Sequence, residues 1–264
     1  PVEAGGLGFT FKWNMGWMHD TLDYFGKDPI YRRHHQNELT FAMVYEHSEH
    51  FVMPLSHDEM VHLKGSLYEK MPGDHWQKLA NLRALLTYQI TRPGKSLLFM
   101  GTELAVPSEW NHEQSLDWHL VHDPTRAAFL LFVARLGDLY RRTPALWARD
   151  GEPEGFEWID AADHASSVLS YLRRARDDHA VVALNLTPMP RGRYRIGVPE
   201  PGEYRCILSS DESRWGGGDY AASLRVTADD IPYHGRRYSL ELELPPLSAV
   251  IYVPARSRSS AERA

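Results

Sequence analysis

The sequence predicts two kinds of structure in succession: a parallel α/β segment over residues 1–150 and an antiparallel β-sandwich domain over 151–255, followed by a disordered tail over 256–264. Three observations lead there. Up to about Arg149 short β-like runs alternate with longer helical ones, which is the grammar of a parallel α/β fold. After Pro153 the runs become short, alternating and punctuated by turn residues, as in an all-β sandwich of about a hundred residues. Finally, a parallel sheet of three strands with an open edge is a poor structure alone, because such sheets are covered on both faces or closed into a barrel. A closed (β/α)8 barrel takes about 250 residues, so the first segment is expected to be the last part of a barrel whose other strands lie upstream. The opening PVEAGGLGF, starting at Pro1 rather than Met and running directly into apolar sequence, fits a piece cut from a longer chain.

The elements follow in order. GLGFTFKWN (6–14), FVMPL (51–55) and KSLLFMG (95–101) are compact apolar runs of strand character. Between the last two, WQKLANLRALLTYQI (76–90) places Trp76, Leu79, Leu82, Leu86 and Ile90 on one stripe, with Asp74 as N-cap and Pro93 just beyond the end. A further helix is expected over 126–142, where Phe129, Phe132, Val133, Leu136 and Tyr140 recur at helical spacing. The sandwich strands are GFEWI, SVLSYLRRA, AVVALNL, RYRIGV, EYRCIL, YSLELEL and AVIYVP, with turns at Asp177–Asp178, Pro199–Gly202 and Pro245–Pro246.

Composition narrows the partners. At 43% hydrophobic and 24% charged residues the chain is neither disordered nor fibrous. A net charge of −6 without a basic stripe argues against nucleic acid, and no apolar run approaches the roughly 20 residues that cross a bilayer. The single cysteine, Cys206, cannot form an internal disulfide, which suits a reducing cytoplasm.

His57, Asp58 and Glu59 follow FVMPL directly, where a parallel barrel carries its chemistry, at the carboxyl end of a strand. Spacing alone favours a capped turn. Zinc is disfavoured, because His57 and His62 are five apart and do not share a helix face. Ser56 lacks the glycine-flanked elbow of a nucleophile. A sugar site is the fourth reading: Trp13, Trp17, Trp110 and Trp118 fall in or beside loops after candidate strands, interleaved with Asn14, Tyr24, Glu109, Asn111 and Asp117. Flat apolar faces beside planar hydrogen-bonding groups suit a sugar, although any single Trp is more often core.

Longer stretches resolve the choice. GGLGFTFKWNMGWMHDTLDYF, LTFAMVYEHSEHFVMPLSHDEMVH, MPGDHWQKLANLRALLTYQ, EWNHEQSLDWHL and HGRRYSLELELPPLSAVIYV together resemble the glycogen branching enzymes, 1,4-α-glucan branching enzymes of the α-amylase superfamily, along nearly all of residues 5–254. The resemblance implies barrel strands 6 to 8 followed by the C-terminal sandwich. It implies that Asp58 is the third carboxylate of the superfamily and that His57 hydrogen-bonds the sugar in the −1 subsite, both acting by transition-state stabilisation. Trp13, Trp17, Trp110 and Glu59 are the expected substrate contacts. No cofactor and no metal are expected, and the partners are an α-glucan and the upstream part of the same enzyme. The nucleophilic Asp and acid/base Glu of such an enzyme belong to preceding strands, so these residues by themselves are expected to be inactive. The rival readings are a non-catalytic glucan-binding module and an amylase-type hydrolase. Three departures border the cleft: the family usually has Gly where this chain has Leu63, Asn where it has Thr102, and a segment richer in Phe, Gly and Gln where it has LAVPSEW.

Overall fold

A computed structural model of the chain describes residues 2–220 and 223–255; the tail expected over 256–264 lies outside them. Three strands, β1 (Lys12–Trp13), β2 (Phe51–Leu55) and β3 (Lys95–Leu98), form a sheet in the order β1-β2-β3. Both ladders are parallel. Helix α1 (Met15–Gly26) follows β1, α2 (His75–Thr91) lies between β2 and β3, and α3 (Pro124–Arg142) follows β3.

The strand expected over 6–14 shrinks to two residues, and residues 6–11 are exposed. Strand formation requires a partner ladder as well as β-forming composition, and β1 pairs only with β2 among the described residues. Helix α1 is a correction: the expected elements include no helix between the first two strands, and Trp17 is expected in or beside a loop. Asn14 instead caps the helix, its side-chain oxygen accepting the Trp17 N–H at 2.9 Å. Trp17, Met18, Thr21, Leu22 and Phe25 then share a buried face. Helix α2 starts as expected. The Asp74 carboxylate accepts the Gln77 N–H and the Gln77 side chain accepts the Asp74 N–H, both at 2.9 Å, a reciprocal capping box. Further along α2, buried Gln89 donates to the carbonyls of Met53 and Leu97, each at 2.9 Å. It does so beside Pro54, which has no N–H to give the ladder.

Eight further strands are β4 (Phe156–Asp163), β5 (Val168–Arg174), β6 (His179–Asn185), β7 (Arg191–Val198), β8 (Gly202–Ser209), β9 (Arg225–Ala228), β10 (Tyr238–Leu244) and β11 (Ser248–Pro254). Seven were legible; β9 is a short edge strand of four residues with no apolar alternation strong enough to mark it. They form a six-stranded sheet, β4-β5-β6-β11-β8-β9, and a two-stranded sheet, β10-β7, all antiparallel.

The six-stranded sheet explains why AVVALNL reads as a continuous apolar run. Val181 and Ala183 of β6 face a core shared with Ile196, Val198, Leu240 and Leu242 of the small sheet. Ala180, Val182 and Leu184 face the other way, into a core shared with Leu79, Leu82 and Leu86 of α2. A strand covered on both faces has no polar side to show. The helical segment and the sandwich therefore share one hydrophobic core.

Buried arginines reinforce that junction. Arg32 donates to the carbonyls of Phe25, Lys27 and Leu186 at 2.8, 3.1 and 3.0 Å, and Arg83 of α2 donates to those of Ser210 and Trp215 at 2.7 and 3.1 Å. Burial draws both guanidinium pKa values down to about 10. Arg173 of β5 donates to Thr91 O at the end of α2 (2.7 Å), to Gly155 O (3.2 Å) and to the Asp150 carboxylate (2.5 Å).

Candidate functional site

Because β1, β2 and β3 run parallel, their carboxyl ends lie on one side of the sheet. There the chain leaves the core at Trp13, at Ser56 and at Phe99. Ser56 is buried and starts a single helical turn, His57–Glu59. Its hydroxyl accepts the Asp58 N–H at 3.3 Å and donates to Asp58 Oδ2 at 2.7 Å. The capped turn read from spacing is therefore real, but Ser56 is the cap and Asp58 is the side chain that the cap orients.

His57 Nε2 lies 3.7 Å from Asp58 Oδ1, with the two side chains 49% and 41% exposed. The imidazole packs against Phe99 at 5.7 Å between ring centroids, and Phe99 meets Trp110 edge-on at 5.3 Å. Two backbone bonds tie these pieces together: Phe99 N–H to Leu55 O at 3.1 Å and Trp110 N–H to Met60 O at 3.1 Å. The result is an aromatic shelf of Phe99 and Trp110 with the Asp58 carboxylate and the His57 imidazole at its edge. Such a shelf can hold a ring by its apolar face and read its hydroxyls, while an anion lies ready to oppose positive charge. Among the described residues no group of three or more His, Cys, Asp and Glu is placed to hold a metal ion.

The expected contacts separate under this geometry. Trp13, 42% exposed, and half-buried Trp110 are available at the strand ends. Trp17 is not: it is fully buried on α1 and stacks on Tyr88, which corrects the expectation that it touches substrate. Tyr24 is buried on the same helix. The sequence reading sets both in or beside a loop, whereas helix α1 turns them into the core.

Glu59 is the second correction. Its side chain is only 13% exposed, and its carboxylate is taken up by cations. It meets Lys64 Nζ at 2.9 Å, His19 Nδ1 at 3.3 Å and Lys70 Nζ at 3.6 Å. Burial opposes its ionisation, but the hydrogen bond and charge of Lys64, with Lys70 and His19, prevail and hold its pKa below the ordinary value. Its work is to pin the turn from behind.

Phe99, Lys64 and Glu109 are the residues that sequence reasoning placed poorly or missed. Phe99 was detectable by the rule that found His57, since it is the first residue after KSLL. Glu109 was noted only as a polar neighbour of Trp110; it accepts the Gly65 N–H at 2.7 Å. That bond holds its carboxyl below the ordinary range.

Comparison with known proteins defines first a class. Residues 158–255 match the family described as the alpha amylase C-terminal all-beta domain. The crystal structure of an alpha-amylase from Geobacillus thermoleovorans complexed with acarbose aligns with 97% of this chain and 50% of its own, at 15% identity and a TM-score of 0.66. A cyclomaltodextrinase aligns with 92% of this chain and 36% of its own, at 15% identity and a TM-score of 0.61. At that identity the likeness is one of fold alone.

The sequence is more particular. It is 58% identical over 256 residues to the 1,4-alpha-glucan branching enzyme GlgB of Cereibacter sphaeroides, covering 97% of this chain and 35% of that protein. It is 51% identical over 266 residues to that of Thermosynechococcus vestitus, covering 100% and 35%, and 52% identical over 255 residues to that of Aquifex aeolicus, covering 96% and 40%. The chain is thus a relative of the 1,4-alpha-glucan branching enzymes, matching their C-terminal part, and it spans about a third of the length of these curated relatives.

Proposed function

We propose that these 264 residues are the C-terminal part of a glycogen branching enzyme. Residues 1–150 supply the last three strands of its (β/α)8 barrel, and residues 151–255 its C-terminal sandwich. Open sheet edges support the barrel reading. Leu7, Phe9 and Phe11, beside β1, are 91%, 84% and 50% exposed, and the first two residues of β3 are exposed. Parallel strands are stable when such edges are closed by further strands.

In the complete enzyme a nucleophilic carboxylate from an upstream strand attacks C1 of an α-1,4-linked glucose. The glycosidic bond breaks, and a second carboxylate protonates the departing glucan. A 6-hydroxyl of an acceptor chain then gives its proton to that second carboxylate and attacks the glucosyl-enzyme, forming an α-1,6 branch and releasing the nucleophile. His57 and Asp58 act in the −1 subsite. Both strengthen their hold as the ring flattens and gains positive charge, which lowers the barrier without transferring a proton. Trp13 and Trp110 contact the glucan. The observation that carries this reading is the His57–Asp58 pair, oriented by Ser56 and set at the edge of the aromatic shelf.

The test is incubation of amylose with the complete enzyme. Iodine absorbance is expected to fall without a matching rise in reducing ends, and debranching of the product is expected to release short chains. Reducing ends rising in step with the iodine change would mean hydrolysis, and a binding module would change neither.

A further inference from the structure

The turn after the His-Asp-Glu motif carries backbone that is maintained only by a firm hold. His62 and Leu63 sit at φ of 57° and 68°, with Gly65 at 76°. Glycine takes that left-handed conformation freely, whereas a residue with a Cβ resists it. Such geometry persists where its surroundings over-determine it, and it gathers at functional sites.

The hold here comes from both sides. From the segment that carries Trp110, Glu109 accepts the Gly65 N–H at 2.7 Å. From beneath, Lys64 Nζ donates to Asp58 O at 2.8 Å and to the Glu59 carboxylate at 2.9 Å, while Lys70 Nζ donates to Lys64 O at 2.8 Å. Leu63 is thereby held 98% exposed, next in the chain to a residue bonded to Asp58 itself. The turn accepts the strain and holds an exposed isobutyl group one residue before Lys64, which is bonded to Asp58.

We propose that Leu63 is a specificity-determining contact, packing its side chain on the apolar C–H face of a glucan that runs past His57 and Asp58, and that Glu109 is the positioning residue that presents it. This rests on the glucan-transfer reading above. An exposed aliphatic group on a held loop can pack against the apolar C–H face of a sugar ring.

The test compares variants in the complete enzyme. Leu63→Ala keeps the left-handed strain and removes the contact, Leu63→Gly removes both, and Leu63→Met restores an apolar chain. The Ala and Gly variants are expected to raise KM for amylose several-fold and to shift the distribution of transferred chain lengths, with kcat little changed and Met close to wild type. Leu63→Gly is expected to melt no lower than wild type. Glu109→Gln, which weakens the grip on the loop, should move KM in the same direction. Unchanged KM and chain distribution in both the Ala and Gly variants would overturn the proposal. Binding of maltoheptaose by calorimetry on the same proteins separates the two readings. Affinity lost in Leu63→Ala beside an inactive wild type overturns the transferase reading alone, and equal affinity overturns the Leu63 contact.

Discussion

Asp58→Asn in the complete enzyme is expected to lower kcat by about 10³-fold, the scale set by removing one preorganised electrostatic group from a transition state. The fold should be untouched. The side-chain oxygen of Asn can still accept the Ser56 hydroxyl, now 2.7 Å from Asp58 Oδ2, and the backbone bond from residue 58 to Ser56 is unaffected. On the proposed mechanism, what disappears is the negative charge that faces the sugar ring as it becomes cationic. Because that charge matters most in the transition state, kcat should fall far more than KM rises. Branch formation from amylose, measured beside a thermal melt, checks both halves; an unchanged rate would remove Asp58 from the mechanism.

The largest effect on stability is expected at Arg173. Its side chain is wholly buried and joins three pieces of the chain, the end of α2 through Thr91 O, the segment before β4 through Asp150 and Gly155, and β5 on which it sits. Arg173→Met leaves Asp150, whose side chain is 9% exposed, with Lys95 at 2.7 Å as its remaining cation. It also strips two buried carbonyls of their donor. Breaking a buried pair in this way costs about 3–5 kcal/mol, which in a domain of this size lowers the melting temperature by on the order of 10 °C. Since Leu82 and Val182 share one core, the helical and sandwich segments should still melt together. Two separated transitions in the variant would mean that the shared core does not couple them.

Much of the architecture was legible because its causes are local. Asp74, Gln77 and Pro93 bracket α2 as capping chemistry requires, and the alternating or continuously apolar runs of the sandwich declare themselves through burial on one face or both. What was missed depended on tertiary context. The segment 6–11 has strand composition, yet pairing decides which residues become β1. Helix α1 is absent from the expected elements, and with it went the placement of Trp17, which no spacing rule could tell from an exposed indole. At the site, FVMPL pointed to His57 and Asp58, because a strand end is visible in sequence. The roles of Glu59 and Glu109 were not visible, since both are fixed by partners brought near in space, Lys70 and His19 for one and the Gly65 backbone for the other.

The reading stands or falls on whether the ends of β1, β2 and β3 hold a sugar. The direct measurement is a structure of the complete enzyme with maltoheptaose bound. The expected result is a glucose ring with hydroxyls within hydrogen-bonding distance of His57 Nε2 and the Asp58 carboxylate, and with its glucan chain passing Trp13 or Trp110. A glucan that occupies the barrel while leaving His57 and Asp58 facing only water would contradict it.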